Sequence, residues 1–292
     1  MFNEKQRVAG LSVFAAVFLT GFKLLVGLIT GSLGLLSEAL HSGLDLVAAV
    51  ITFFSVRISD NPPDKVHNFG HGKVENFSAF LETVLLLITC IWIIYEAIHR
   101  LITGRTEIEV NVWSYIVVVT SIVVDISRSK ALSRVAKKYN SQALEADALH
   151  FSTDIWSSAV VLIGLIMANF GFFFADSVAA LVVAMIVIVI SYKLGKRSME
   201  VLLDYAPPDK VIKVEGVMKS IPEIDTYHSL KVRTAGADTF VKVIVSLNPQ
   251  IEVYKAHEIC DKVEHEISKV IDRCDVMVHV EPFNQNLNNS KK

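Results

Sequence analysis

Two histidine–aspartate pairs stand out in this chain of 292 residues. His41 precedes Asp45 by four positions, and His150 precedes Asp154 by the same four. On a helix that spacing puts each pair on one face, a turn apart. Two such helices side by side offer two imidazoles and two carboxylates to one point, a tetrahedral N2O2 set that suits Zn²⁺. Both pairs sit in apolar surroundings, where two carboxylates would balance a divalent charge that is costly to bury. A lone histidine there is ordinarily a hydrogen-bonded packing residue; the duplication is what favours metal binding. A second group, Asp64, His67 and His71 within DKVHNFGHGK, could meet one ion through a bent loop or be an ordinary solvated loop. A third comprises His228, His257, His279 and Glu281. His279 and Glu281 are two apart and share a strand face, but whether all four meet depends on the fold.

The pairs need helices to hold them, and the sequence supplies apolar segments at roughly 8–29, 34–57, 77–101, 110–128, 151–170 and 176–195. Each is close to the ~20 residues that cross a ~30 Å hydrocarbon core. Single polar groups interrupt most of them: Lys23, Glu38, His41, Asp45, Glu82 and Asp125. That pattern fits a helix bundle with a polar interior. All seven prolines fall outside the segments, so straight helices are expected. The first segment has no small-residue cleavage site followed by a polar start, and reads as a retained span. Lys and Arg gather in alternate connections, at Arg57, Lys65 and Lys73 and again at Arg128, Lys130, Arg134, Lys137 and Lys138. Six spans with both termini cytoplasmic follow.

Composition divides the chain. Hydrophobic residues make up 52% overall, but residues 1–204 carry 33 charged side chains and residues 205–292 carry 25. The first part is membrane-like and the second soluble-like. A wholly soluble enzyme, a disordered chain and a secreted disulfide scaffold are excluded. With a net charge of −2 nothing points to nucleic acid. Cys90, Cys260 and Cys274 form no CxxC and read as free thiols. Beyond Tyr205-Ala-Pro-Pro208 the pattern predicts a short helix at 208–220, strands at 226–234 and 239–247, a helix at 253–271 and a strand at 275–281. The order αββαβ implies a small α+β sandwich. The expected domains are 1–204, transmembrane, and 205–284, soluble, with 285–292 a disordered tail.

The run Ser32-Leu-Gly-Leu-Leu-Ser-Glu-Ala-Leu-His41-Ser-Gly-Leu-Asp45 resembles the signature of the cation diffusion facilitator family. Phe69-Gly-His-Gly-Lys73 and Glu145-Ala-Asp-Ala-Leu-His150-Phe-Ser-Thr-Asp154 resemble its other two motifs, in family order. The likeness runs from residue 8 to about 283. It implies a homodimeric exporter of divalent metal coupled to protons, a secondary transporter and not an enzyme, in the cytoplasmic (inner) membrane, with a ferredoxin-like cytosolic domain. The resemblance places the transport site on His41, Asp45, His150 and Asp154, a loop site on Asp64, His67 and His71, and a cytosolic site on His228, His257, His279 and Glu281. The His/Asp pairs resemble the zinc group, with Zn²⁺ as both substrate and regulatory ligand. It also implies an interlock between Lys73 and Asp204. The chain departs from zinc-type relatives at Ile244, where they carry a histidine, and at Glu281, where they carry aspartate. An intramembrane metalloenzyme is the rival for such a site; the chain has no HExxH, and four ligands rather than three with an open position.

Overall fold

The computed structural model describes residues 3–31, 33–103, 112–168 and 175–283. The chain divides into two compact units, Met1–Met199 and Glu200–Lys292. Ser32, the connection holding Arg105, the link around 169–174 and the expected tail at 285–292 lie outside the described residues.

The first unit is built on six long helices: α1 (Glu4–Thr30), α2 (Leu33–Ser59), α3 (Lys73–Thr103), α4 (Val112–Tyr139), α5 (Gln142–Ala168) and α6 (Ala175–Leu202). Asn3 caps α1 by accepting from the Gln6 amide at 2.9 Å. Gly31, at φ 67°, closes the same helix in the left-handed conformation that glycine adopts without strain. By length and apolar composition, Glu4–Thr30, Glu38–Ser59 and Lys73–Thr103 can each cross a membrane. Their outward faces are apolar: Phe14 is 73% and Ile29 75% exposed, which water would punish and lipid would not. Small residues line the inward faces, among them Ala9, Ala16, Ala49, Ala143 and Ala148. They let the backbones approach closely, as helix packing in lipid requires.

One expectation is corrected. The stretch Arg128–Lys138 does not form a loop: α4 runs through it to Tyr139, and α5 begins at Gln142. Asn140, at φ 51°, makes the turn between them. Leu132, Val135 and Ala136 face Leu144 and Phe151 in one core, so this stretch is an amphipathic helix whose charges face outward. Arg128 is the exception. It is buried, with its guanidinium 3.4 Å from the Phe151 ring centre. His150 consequently lies two turns inside α5 rather than at its start.

The second unit is the expected α+β arrangement: α7 (Pro208–Ser220), β1 (Thr226–Ala235), β2 (Asp238–Leu247), α8 (Val253–Val270) and β3 (Cys274–Pro282). Pro208 opens α7, where its missing N–H costs nothing. The sheet order is β1-β2-β3, with β1 and β2 antiparallel and β2 and β3 parallel. Val243 and Val245 on β2, with Val263 and Ile267 on α8, are fully buried at its centre. All three cysteines are free.

Ile267 has no exposed surface, so Ile267→Ala should remove about 2–5 kcal/mol from this unit by leaving a cavity. Hydrogen exchange in the full chain should show the β2 amides exchanging faster while those of α1–α5 keep the wild-type rates.

Candidate metal centre

The polar faces of α2 and α5 meet inside the first unit. His41 and Asp45 come from α2, His150 and Asp154 from α5, and the pairs cross. His150 Nε2 lies 3.0 Å from Asp45 Oδ1, and His41 Nε2 lies 3.7 Å from Asp154 Oδ1. Within each helix the i,i+4 partners are 4.0 Å apart for His41–Asp45 and 3.8 Å for His150–Asp154. One ligand atom each from His41, Asp45 and Asp154 falls within 4.8 Å of the others. His150 is tied to this trio through its two carboxylates. Asp45 and His150 are buried, and His150 Nδ1 has no hydrogen-bond partner among the described residues. Cross-helix pairing of this kind matters chemically, because the imidazole lone pair that takes a metal is also the one that takes a proton.

The connection between α2 and α3 draws Asp64, His67 and His71 together. Asp64 Oδ1 accepts the backbone N–H of Val66 at 2.8 Å and of His67 at 2.5 Å. Asp64 also sits 3.3 Å from His67 Nδ1 and 3.6 Å from His71 Nε2. The imidazole rings are 4.4 Å apart, centre to centre. Gly70, at φ 74°, turns the chain so that His71 folds back over the loop. The two amide donors hold the Asp64 carboxyl well below its ordinary range, at about 2, so it is ionised at neutral pH.

In the second unit the sheet register places His228, Ile244 and His279 in one row across β1, β2 and β3. Glu281 reaches both imidazoles, at 3.6 Å from His228 Nε2 and 3.9 Å from His279 Nε2. His257 is on α8, 3.8 Å from Asp261 and on the wall of a cavity that Glu281 also lines. Among the described residues of one chain, these four do not converge on a point.

With this geometry in place, two family models cover the chain. "Cation efflux transmembrane domain" matches residues 10–203, and "Cation efflux protein, cytoplasmic domain" matches 206–283. The chain belongs to the cation efflux family, the cation diffusion facilitators. It is 30% identical over 280 residues to an uncharacterized transporter of Methanocaldococcus jannaschii, covering 96% of this chain and 99% of the relative. It is 28% identical over 272 residues to the cation-efflux pump FieF of Shewanella oneidensis, covering 93% and 92%. Among solved structures, the metal-bound C-terminal domain of the CzcD transporter from Thermotoga maritima is 28% identical over 25% of this chain and 87% of that one, with a TM-score of 0.25. The protein is therefore a membrane transporter that exports divalent cations, and not an enzyme.

The sequence reading named Glu82 among the polar groups of the bundle interior and missed Asp147. Glu82 on α3 and Asp147 on α5 have no exposed surface. Glu82 accepts from Thr52 and, at 3.2 Å, from Ser78. Asp147 accepts from Ser12 at 3.2 Å, and Ser12 in turn accepts from Arg128 at 3.1 Å. The signal was present: Asp147 precedes His150 by three residues and so shares its helix face. Lys5 is a second omission. Its Nζ meets Asp60 at 2.5 Å and Glu75 at 3.0 Å, and Glu75 also accepts from Ser59 and Ser141. Lys73 opens α3, and Asp204 accepts from Arg233 at 3.4 Å.

Asp64 has a structural duty separable from any metal. Asp64→Asn keeps an oxygen for the two amides, whereas Asp64→Ala does not. Hydrogen exchange at Val66 and His67 should accelerate several-fold in the alanine variant and stay near wild type in the asparagine variant. The carboxyl is lowered in the fold, so its contribution is present above the ordinary carboxylate value and lost as pH falls toward about 2. Wild-type protection of these amides should accordingly survive at pH values that protonate ordinary carboxylates.

Proposed function

We propose that the exported cation is Zn²⁺ and that protons move inward in exchange for it. The observation carrying this reading is the crossed pairing of His41 with Asp154 and His150 with Asp45. Two nitrogens and two carboxylate oxygens form a ligand set suited to tetrahedral zinc, and the two carboxylates cancel its charge. A metal ion must displace protons from the imidazoles to bind. Protonation from the outer side puts positive charge beside the ion and drives release; loss of those protons to the cytoplasm restores affinity. Helices rocking about this site give it access to one side at a time, since transporter sites characteristically lie near the bilayer midplane.

The remaining assignments belong to the same reading. The chain crosses the cytoplasmic membrane six times through a transmembrane domain at 1–204, with a cytosolic domain at 205–284 and both termini inside. Asp64, His67 and His71 form a second, loop-borne metal site at the cytosolic end. His228, His257, His279 and Glu281 bind zinc at the cytosolic domain of a homodimer and regulate transport rather than conduct the ion. Ile244, lying between His228 and His279 in the register, leaves that site one imidazole short of its zinc-type relatives, which lowers its affinity.

Asp154→Ala removes a ligand and a balancing charge at membrane depth. Zinc uptake into inside-out vesicles should fall roughly a hundredfold or more, beyond what loss of an outer partner of a metal ligand costs, while the protein still inserts and dimerises. Near-normal uptake would remove the assignment. His41→Asp keeps four ligands but exchanges nitrogen for oxygen. Imidazole favours zinc and carboxylate favours harder ions, so manganese should gain on zinc in competition flux. An unchanged ranking would place His41 outside the ligand set.

A further inference from the structure

A positive charge lies beside the cation ligands. Lys23, on α1, is only 6% exposed. It lines a cavity of about 40 Å³ together with His41, Asp45, Asp125 and Asp154. Among the described residues it is the only lysine or arginine on that wall. Its Nζ donates to Glu38 Oε2 on α2 at 3.1 Å, and the Glu38 side chain is 47% exposed. The pair is thus lopsided: a buried ammonium is held by a carboxylate that reaches toward the outside, one turn before His41. A fixed cation next to a divalent ion costs affinity, and a lysine at membrane depth is itself expensive. Ion-pairing with Glu38 explains how the lysine is tolerated. It does not explain a lysine on the wall of a cation site, where a neutral residue would bind metal better.

We propose that Lys23 is a tethered competitor of the transported cation and that Glu38 is the group that holds it off. Lysine carries a compact point charge on a flexible four-carbon stem, so the ammonium can leave Glu38 for the Asp45 and Asp154 carboxylates. There it substitutes for the departing metal. Rebinding of the released ion is opposed, and once the imidazoles give up their protons the empty site does not hold two unbalanced carboxylates in a low dielectric. When metal returns, Glu38 recovers the ammonium. Lys23 binds no metal in this scheme; by competing for the ligand carboxylates it tunes how tightly the site holds its cargo and how readily it lets go.

The inference rests on the metal site proposed above, and a double-mutant cycle tests it separately. Zn²⁺ flux would be measured in proteoliposomes under an imposed pH gradient for wild type, Lys23→Met, Glu38→Gln, the double variant and Asp154→Ala. Lys23→Met should lower KM about tenfold and lower kcat with it, because release becomes limiting. Glu38→Gln should raise KM severalfold, because the freed ammonium then occupies the carboxylates. In the Lys23→Met background, Glu38→Gln should change KM less than about twofold, since it acts only through Lys23. Additive effects would reduce the pair to a fixed field and overturn the proposal, as would both single variants shifting KM in the same direction. If Lys23→Met fails to insert, the double variant decides alone: a KM below wild type is expected, and one at or above it refutes the competitor. Asp154→Ala with unimpaired flux would instead sink the metal-site reading itself.

Discussion

A carboxylate at membrane depth costs several kcal/mol unless something neutralises it, and the first unit contains Asp45, Glu75, Glu82, Asp125 and Asp147, all nearly or fully buried. Everything else in the bundle follows from having to satisfy them. Lys5 answers Glu75, Arg128 answers Asp125 and reaches Asp147 through Ser12, and the hydroxyls of Thr52 and Ser78 answer Glu82. Asp45 is answered by His150 from another helix. That last solution differs from the others, because an imidazole can give its lone pair to a proton or to a metal. The same electrostatic demand that closes the bundle therefore brings an imidazole with metal-binding chemistry against a buried carboxylate.

The buried network also explains which helices hold together. Glu75 draws α1, the end of α2 and the α4–α5 turn onto α3 through Lys5, Ser59 and Ser141. Around it, alanines at the helix crossings bring backbones close enough for dispersion to work where lipid supplies no hydrophobic drive. The outward faces are left apolar. The second unit obeys ordinary aqueous rules instead: a valine-rich β2 is covered by α7 and α8, and no charged side chain among its described residues is buried. Its histidines sit on strands and a helix of a solvated domain, where Glu281 pairs with His228 and His279 without the bilayer forcing the match.

Much of this was legible in the residues. The spacing of His41–Asp45 and His150–Asp154 pointed to two polar helix faces, and those faces meet. The order αββαβ came from alternating apolar patterns whose period of two survives in the strands. Membrane-like composition ended where the second unit begins to take over. The basic stretch before the α4–α5 turn was misread because its charges suggested a loop, yet Leu132, Val135 and Ala136 lie at helical spacing and carry α4 through it to Tyr139. A charge-counting rule sees the lysines; the packing sees the leucines.

The sequence by itself determined the kinds of element, their order and which residues have ligand chemistry, because these depend on local spacing and composition. Only the tertiary structure decided the pairings. That His150 reaches Asp45 and not only its own helix partner, that Arg128 is buried over Phe151, and that Lys23 shares a cavity with His41, Asp45 and Asp154 are properties of helix rotation and depth. The register that places Ile244 between His228 and His279 is of the same kind. Such relations join residues tens of positions apart. No local pattern encodes them; they emerge when the helices of the first unit, and separately the strands of the second, settle against one another.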